Sequence, residues 1–355
     1  MLQTNLLAPG HADLVTHIVY DFYGERLATC SADQKIKIFR KTPQGTWDHE
    51  TEWKAHDAPI LHLSFAHPIH GSLLASSSHD RSVRIWEEPS GRERDGRWVE
   101  RGVLTGAKGS VRSVQFGPPD PAYGLRVASI STDSYLRIYT SLDPSLNDWS
   151  LVHSIHVPSL PLPGNSDEIP PPAESAASTS ELASGGWGLS WCKEKWWGSV
   201  LATFSGTSPT LKLVVLDPQP TSLIHLTPSG NGAAPLTSVA WAPSCGRSYH
   251  LLATGSRDGT VRIWRVEPPG ERLRLDYDSE EEVKRSWTAE CTGEFGKGGA
   301  RVGMVDWNAT GTTLTTSDDE GIVRIYKPTY AKSWKLLGQM TAEEPPSEEA
   351  LNGHQ

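Results

Sequence analysis

Sulfur is scarce in this chain and dispersed: four cysteines and three methionines among 355 residues. Cys30, Cys192, Cys245 and Cys291 stand far apart, with no CxxC pair and no Cys/His group at metal-ligand spacing. That argues against a disulfide framework and against a zinc site. Long apolar runs are missing too. No stretch approaches the ~18 residues of a membrane span, and the opening MLQTNLLAPG has neither the basic start nor the apolar core of a secretory leader. These absences predict a soluble protein of a reducing compartment, with no direct membrane insertion.

Positive charge is in deficit: 33 Lys and Arg face 42 Asp and Glu, for a formal net charge of −9. No basic cluster stands out, so the footprint of direct nucleic-acid binding is absent. A nucleophile elbow, a phosphate-cradling glycine loop and a metal cluster are equally lacking. The expectation is a protein that is not an enzyme, with no catalytic, cofactor-binding or metal-ligating residue and with other proteins as partners.

What the chain does have is a repeated hairpin. Leu251 to Trp264 reads LLATGSRDGTVRIW, two short β-prone runs around a tight-turn composition. Copies occur at Leu27 to Phe39, Leu73 to Trp86 and Arg126 to Tyr139, with weaker ones at Leu201 to Val214 and Thr313 to Tyr326. Aligning the turns makes Asp33, Asp80, Asp133, Ser208, Asp258 and Glu320 equivalent. They recur about every 50 residues, with wider intervals after Asp133 and after Asp258, and such a period is that of a β-propeller blade.

Another apolar strand precedes each hairpin: Val15 to Phe22, Ile60 to Ala66, Val111 to Phe116, Trp187 to Cys192, Leu236 to Trp241 and Val302 to Trp307. A fourth follows, usually marked by tryptophan: Trp47 to Trp53, Trp98 to Leu104, Trp149 to Val157, Ser222 to Thr227, Trp287 to Phe295 and Trp334 to Met340. A sheet with two apolar faces cannot bury both alone, so six such units must stack. The expected fold is all-β, a six-bladed propeller forming one domain over residues 1–340. Two polar insertions, 158–186 and 266–284, and an acidic tail, 341–355, are expected to lie outside its core.

The turn aspartates and the tryptophans resemble the WD-repeat pattern. In that family the Asp, a His, a Ser or Thr of the second strand and the Trp form a buried hydrogen-bonded relay. The resemblance implies a relay of His56, Ser78, Asp80 and Trp86 in the second unit, with His11 and Asp33 in the first, Asp133 in the third, and Asp258 and Trp264 in the fifth. Departures are Phe39, Tyr139, Val214 and Tyr326 at the tryptophan position. A repeated constellation of this kind is structural rather than a hydrolytic triad.

Closure of the ring is unusual. First and last units each have a fourth strand of their own, so neither waits for a strand from the other end of the chain. The expectation is an open propeller that a partner completes by supplying a blade in trans, a form of β-augmentation. Residues placed to border such a blade are Leu6, Leu7, Val15, Ile18, Ile322 and Ile325.

Finally, HADLVTHIVYDFYGERLATCSADQKIKIFRK, FAHPIHGSLLASSSHDRSVRIWEE and WAPSCGRSYHLLA resemble the Sec-thirteen-homologue (SEH) nucleoporin family, from Gly10 to Trp264 apart from the insertion Pro158 to Gly186, and more weakly to Met340. The resemblance implies a scaffold subunit of the Y-shaped outer-ring complex of the nuclear pore, at the nuclear envelope, bound to a helical nucleoporin that supplies the blade. It also implies a second setting, a coat-like complex at the vacuolar or lysosomal membrane that regulates nutrient signalling through the TOR kinase. A Sec-thirteen-type vesicle coat subunit and a peptide-recruiting WD-repeat adaptor are the alternatives.

Overall fold

The computed structural model describes residues 7–88, 98–120, 123–143, 145–161, 183–194, 199–229, 233–269, 286–330 and 333–341. Expectations for Leu6, for most of the two insertions and for the tail beyond Thr341 fall outside these residues. The described residues form six antiparallel sheets, each of four consecutive strands, which are the blades of a β-propeller.

The chain divides into two compact units, Met1–Leu236 and Thr237–Gln355. In the first, blade one comprises Val15–Tyr20, Arg26–Ser31, Lys35–Lys41 and Trp47–Lys54. Blade two comprises Ile60–Phe65, Leu73–Ser78, Val83–Glu87 and Val99–Leu104. Blade three is Val111–Phe116, Leu125–Ser131, Tyr135–Ser141 and Ser150–His156; blade four is Gly186–Trp191, Val200–Gly206, Leu211–Val215 and Thr221–Leu226. In the second unit, but for Leu236 at the boundary, blade five is Leu236–Trp241, His250–Ser256, Val261–Glu267 and Thr288–Phe295, and blade six is Val302–Trp307, Leu314–Asp318, Ile322–Pro328 and Trp334–Thr341. Among the described residues no sheet combines strands from the two ends of the chain, the arrangement of an open propeller.

Local chemistry explains why the hairpins form. The residue after the turn position is in the left-handed region in five blades: Gln34, Arg81, Ser134, Gly259 and Gly321, with φ between 62° and 79°. Glycine adopts that conformation without steric cost, whereas the three other residues carry some strain. The turn carboxylate compensates by accepting a backbone N–H two residues on, from Lys35 to Asp33 at 2.9 Å and from Ser82 to Asp80 at 3.0 Å.

A β-bulge interrupts every pairing of third with fourth strand at the same point: Ile38/Phe39, Ile85/Trp86, Ile138/Tyr139, Leu213/Val214, Ile263/Trp264 and Ile325/Tyr326. This recurring irregularity sets the equivalence of positions independently of residue type.

Cores lie where blades face each other, and one packing rule recurs. Four blades offer the next an alanine from the second strand, Ala28, Ala75, Ala128 or Ala253, and two aliphatics spaced by two on the third. Those pairs are Ile36 and Ile38 in blade one and Val83 and Ile85 in blade two. Blade three uses Leu136 and Ile138, and blade five Val261 and Ile263. The receiving blade answers with apolar residues of its first strand, such as Val111, Val114 and Phe116 in blade three. The third-strand pairs alternate along their strands, and a bulge between Val111 and Ser113 keeps Val111 on the same face as Val114 and Phe116.

Candidate functional site

The relay is an internal device. In blade two His56 Nδ1 lies 2.7 Å from Asp80 Oδ2, and His56 Nε2 lies 2.8 Å from Ser76 Oγ, to which the Trp86 indole N–H donates at 2.9 Å. With Nδ1–H donating to the carboxylate and the Ser76 hydroxyl donating to Nε2, every member is satisfied. The relay serine is therefore Ser76 and not Ser78. Ser78 bonds instead to the carbonyls of Ala58 and Pro59 and receives the Asp80 N–H, tying down the hairpin. Burial opposes the charged form of Asp80, but hydrogen bonds from His56 and Ser82 outweigh it and hold the carboxyl well below its usual range.

Blade one repeats the arrangement with His11, Asp33 and Thr29, at 2.9 Å for both ring nitrogens. Blade five keeps the other half, Trp264 donating to Thr254 at 3.1 Å, and Asp258 receives the Thr260 N–H. In blade three an arginine replaces the histidine: Arg137 pairs with Asp133 at 2.7 Å and donates to Ser131 at 2.8 Å. In blade six the carboxylate has moved from the turn position of Glu320 to Asp318, at the strand end, which accepts from the N–H groups of Glu320 and Ile322 and pairs with Arg324. His56 and Ser76 are fully enclosed, so this constellation has no face for a substrate. Among the described residues no group of His, Cys, Asp and Glu could hold a metal ion.

The exposed feature is elsewhere, on the first strand of blade one. Val15, Ile18 and Tyr20 are 36, 47 and 56% exposed. Register places Ile18 opposite Thr29, as Leu63 is opposite Ser76, Val114 opposite Ser129, Leu189 opposite Thr203 and Val305 opposite Thr316. Those four counterparts are 1, 0, 6 and 3% exposed. Residues of core chemistry at core positions thus meet solvent in this blade alone of the five compared. The apolar surface continues through Leu14 before the strand and Phe22 and Tyr23 after it, and Tyr20 packs on Trp47 with ring centroids 5.7 Å apart. At the turn, Phe22 lies edge-on to His67 beside a cavity of ≈ 190 Å³ also lined by Phe65, Pro68 and Leu73. A contiguous apolar patch of this kind marks an interaction surface.

Beneath the patch, His17 and His62 stack with centroids 3.8 Å apart, and His17 Nδ1 accepts the Leu63 N–H at 3.3 Å. Burial, reinforced for His17 by the neighbouring His62, lowers the pKa of His17 well below its ordinary value, and burial takes His62 down to about 4. Both residues are of intermediate burial, and the surrounding protein withdraws their rings from bulk water.

Of the other residues expected at the interface, Leu7 and Ile322 are half-buried. Ile325 is only 6% exposed and has no accessible face to offer, because it sits at the third-strand position that is apolar core in every blade. Sequence reasoning overlooked Val323, which is partly exposed although its counterparts Ile36, Val83, Leu136 and Val261 are buried. It also overlooked Tyr20, whose period-two spacing from Ile18 was the available signal.

Six four-stranded blades, with this relay complete in blade two and kept in part in blades one and five, define a WD-repeat β-propeller. The family model described as "WD domain, G-beta repeat" matches residues 3–40, 47–87 and 223–265, which hold the hairpins around Asp33, Asp80 and Asp258. Curated relatives extend over nearly the whole chain. Nucleoporin SEH1 of Saccharomyces cerevisiae is 33% identical over 366 residues, covering 94% of this chain and 98% of the relative. Nucleoporin seh1 of Schizosaccharomyces pombe is 32% identical, with 97% of each covered, and human Nucleoporin SEH1 is 31% identical, with 98% and 90% covered. The chain belongs to the nucleoporin SEH1 family.

Proposed function

We propose that this chain is a non-enzymatic scaffold subunit of the outer-ring Y-complex of the nuclear pore, and that a helical nucleoporin adds a blade in trans to the open face of blade one. The observation that carries the reading is the exposure of Val15, Ile18 and Tyr20 where equivalent residues of other blades are core. The names of the relatives support the setting, and enclosure of the His–Asp pairs within their blades supports a structural role over a catalytic one. The family resemblance extends the same use of the surface to a coat-like complex at the vacuolar or lysosomal membrane that regulates the TOR kinase.

The test is purification of the tagged full-length chain from its own cells. A one-to-one complex with a large helical subunit that survives high salt is expected, because a contact made by apolar sheet packing is little screened. Ile18→Asp is expected to reduce recovery of that subunit by about tenfold or more, as for a central contact residue. The variant's circular dichroism and melting should match the parent's. Recovery of the unmutated chain only as a free monomer, or release of the subunit as salt rises, overturns the reading. Unfolding of the Ile18→Asp chain shows that Ile18 is core.

A further inference from the structure

Three cations and a histidine that stand apart in the sequence meet where blade two faces blade three. His79 and Arg81 lie on the turn between the second and third strands of blade two, Lys108 on the loop that leads to blade three and Arg112 on the first strand of that blade. A contact of 2.9 Å between His79 Nδ1 and Ser110 Oγ ties the turn to the loop. Arg112 lies 6.0 Å from the ring centroid of Trp187, and its charge adds to burial in lowering the pKa of His79. His79, Arg81 and Lys108 are exposed and Arg112 is half-buried. Among the described residues, neither the Arg81 guanidinium nor the Lys108 ammonium makes an ion pair or a hydrogen bond.

The fold itself does not call for these charges. At the junction of blades one and two the same four positions hold Ala32, Gln34, Asp57 and Leu61, and at that of blades five and six Arg257, Gly259, Gly299 and Gly303. Arg81 is moreover held at φ 68°, in the left-handed region, where blades five and six have glycine. Gln34 and Ser134 share that conformation, but Arg81 alone brings a charge to it. A long side chain kept where glycine is the unstrained choice indicates a use for that side chain. The carboxylates of the same turn and the next do not neutralise the group, because they are occupied within their own blades. Asp80 accepts from His56 and Ser82, and Asp133 from Ser131, Arg137 and the N–H groups of Tyr135 and Lys108.

We infer that this junction binds a phosphorylated serine or threonine in an extended segment of another protein, with the phosphate oxygens accepting hydrogen bonds from Arg81, Lys108 and Arg112. A phosphate monoester carries a charge of about −1.5 to −2 and three strong acceptor oxygens, so it engages several cationic donors at once. A carboxylate has one charge and two oxygens and is matched by a single guanidinium fork. Nucleic acid fits less well. Trp187 is only 5% exposed and presents no face on which a base could stack, and the formal net charge of −9 opposes a long polyanion beyond this one spot. An anionic membrane fits less well too, since no large apolar residue is exposed on the turn 79–81 or the loop 105–110 to enter it. The site lies away from the apolar strand of blade one and goes beyond the scaffold reading.

The experiment passes the purified full-length chain over immobilised degenerate peptide libraries with a fixed central phosphoserine or phosphothreonine, beside unphosphorylated and Glu-substituted libraries. Retention on the phosphorylated libraries is expected to exceed that on the others by about tenfold, the worth of one charge-assisted contact, and to fall as salt rises, because exposed charges are screened. Lys108→Ala and Arg81→Gly should each lower retention by about tenfold. Arg81→Gly should not lower the melting temperature, since glycine suits the left-handed turn; loss of retention together with a lower melting temperature overturns the assignment of Arg81 as a ligand. Co-purification of the helical subunit should be unchanged in both variants, which keeps this test separate from that of the scaffold reading. Equal retention on unphosphorylated or Glu-substituted peptides, no retention, or retention that neither variant alters overturns the inference. So does stronger binding to single-stranded oligothymidylate or to phosphatidylserine vesicles that is lost with Lys108→Ala.

Discussion

Ser76 is the smallest member of the relay and the one on which the others depend. Its hydroxyl is the shared partner of His56 Nε2 and Trp86 Nε1, both withdrawn from water. Ser76→Ala is expected to destabilise the fold by about 2–6 kcal/mol, since two buried groups are each left unpaired at about 1–3 kcal/mol. Trp86→Phe, which keeps the His56–Ser76 bond and resembles the natural Phe39 of blade one, should cost less through lost polar contacts. Urea denaturation of both variants against the parent checks the order. A second residue-scale prediction concerns acid. His17 and His62 are harder to protonate folded than unfolded, so the unfolded chain takes up protons first as pH falls below the ordinary histidine value of about 6.5. Stability they provide is present above pH ~6.5 and is lost as pH falls toward 4, where His62 titrates in the folded chain. The urea midpoint should decline over that window, and His62→Gln should flatten the decline.

At the scale of elements, blades are fastened by an arginine at the start of the second strand that reaches into the next blade. Arg126 of blade three donates to Ser199 at 2.6 Å and to both oxygens of Asp217 of blade four at 2.9 and 3.2 Å. Arg26 of blade one makes the equivalent reach to Ser72 at 3.1 Å and, bidentately, to Glu88 at 2.6 Å in blade two. Similar geometry does not imply similar worth. The Arg126 side chain is 7% exposed and its partner 22%, whereas Arg26 and Glu88 are 14 and 34% exposed, so water screens the latter pair more. Arg126→Ala should cost about 3–5 kcal/mol, the penalty for orphaning a largely buried partner, and Arg26→Ala about 1 kcal/mol or less. Thermal denaturation of the two variants tests this; equal losses would contradict the role assigned to solvent.

For the whole molecule, the proposed docking of a partner on blade one predicts a coupling of stability to assembly. A partner that binds only the folded chain raises its apparent stability by mass action, by about 2.7 kcal/mol at a hundredfold excess over Kd. The melting temperature of the full chain should therefore rise with the concentration of the purified helical subunit, and Ile18→Asp should abolish the rise while leaving the melting temperature of the free chain unchanged. The free chain should also bind an apolar dye through the Val15–Tyr20 surface, and the complex should not.

Much of this architecture was legible in the primary structure, because it depends on local chemistry. Period-two alternation, turn residues at left-handed positions and a repeat of about 50 residues locate every hairpin and all six first strands within a residue or two. Fourth strands differ by a residue at one or both ends in most blades, with Trp98, Trp149 and Trp287 standing just before theirs. Ser76 and Ser78 could not be told apart from the pattern SSS, since both fall on the same face. Pairing of Ser76 with Arg84 and of Leu74 with Trp86 selected Ser76, and Thr29 and Thr254 at the same register carry the same signal. Likewise the shift of the blade-six carboxylate from Glu320 to Asp318 depends on which oxygen meets the turn N–H groups, a matter of coordinates.

The sequence by itself determined that six similar sheets form and which residues are apolar on each. It did not decide which of those residues are covered. Val15 and Ile18 are as apolar as Val111 and Val114, and nothing in the identity of a side chain distinguishes them. Burial is a property of the neighbour, supplied to Val114 by blade two, whereas Ile18 stays 47% exposed, and only the tertiary structure distinguishes the two.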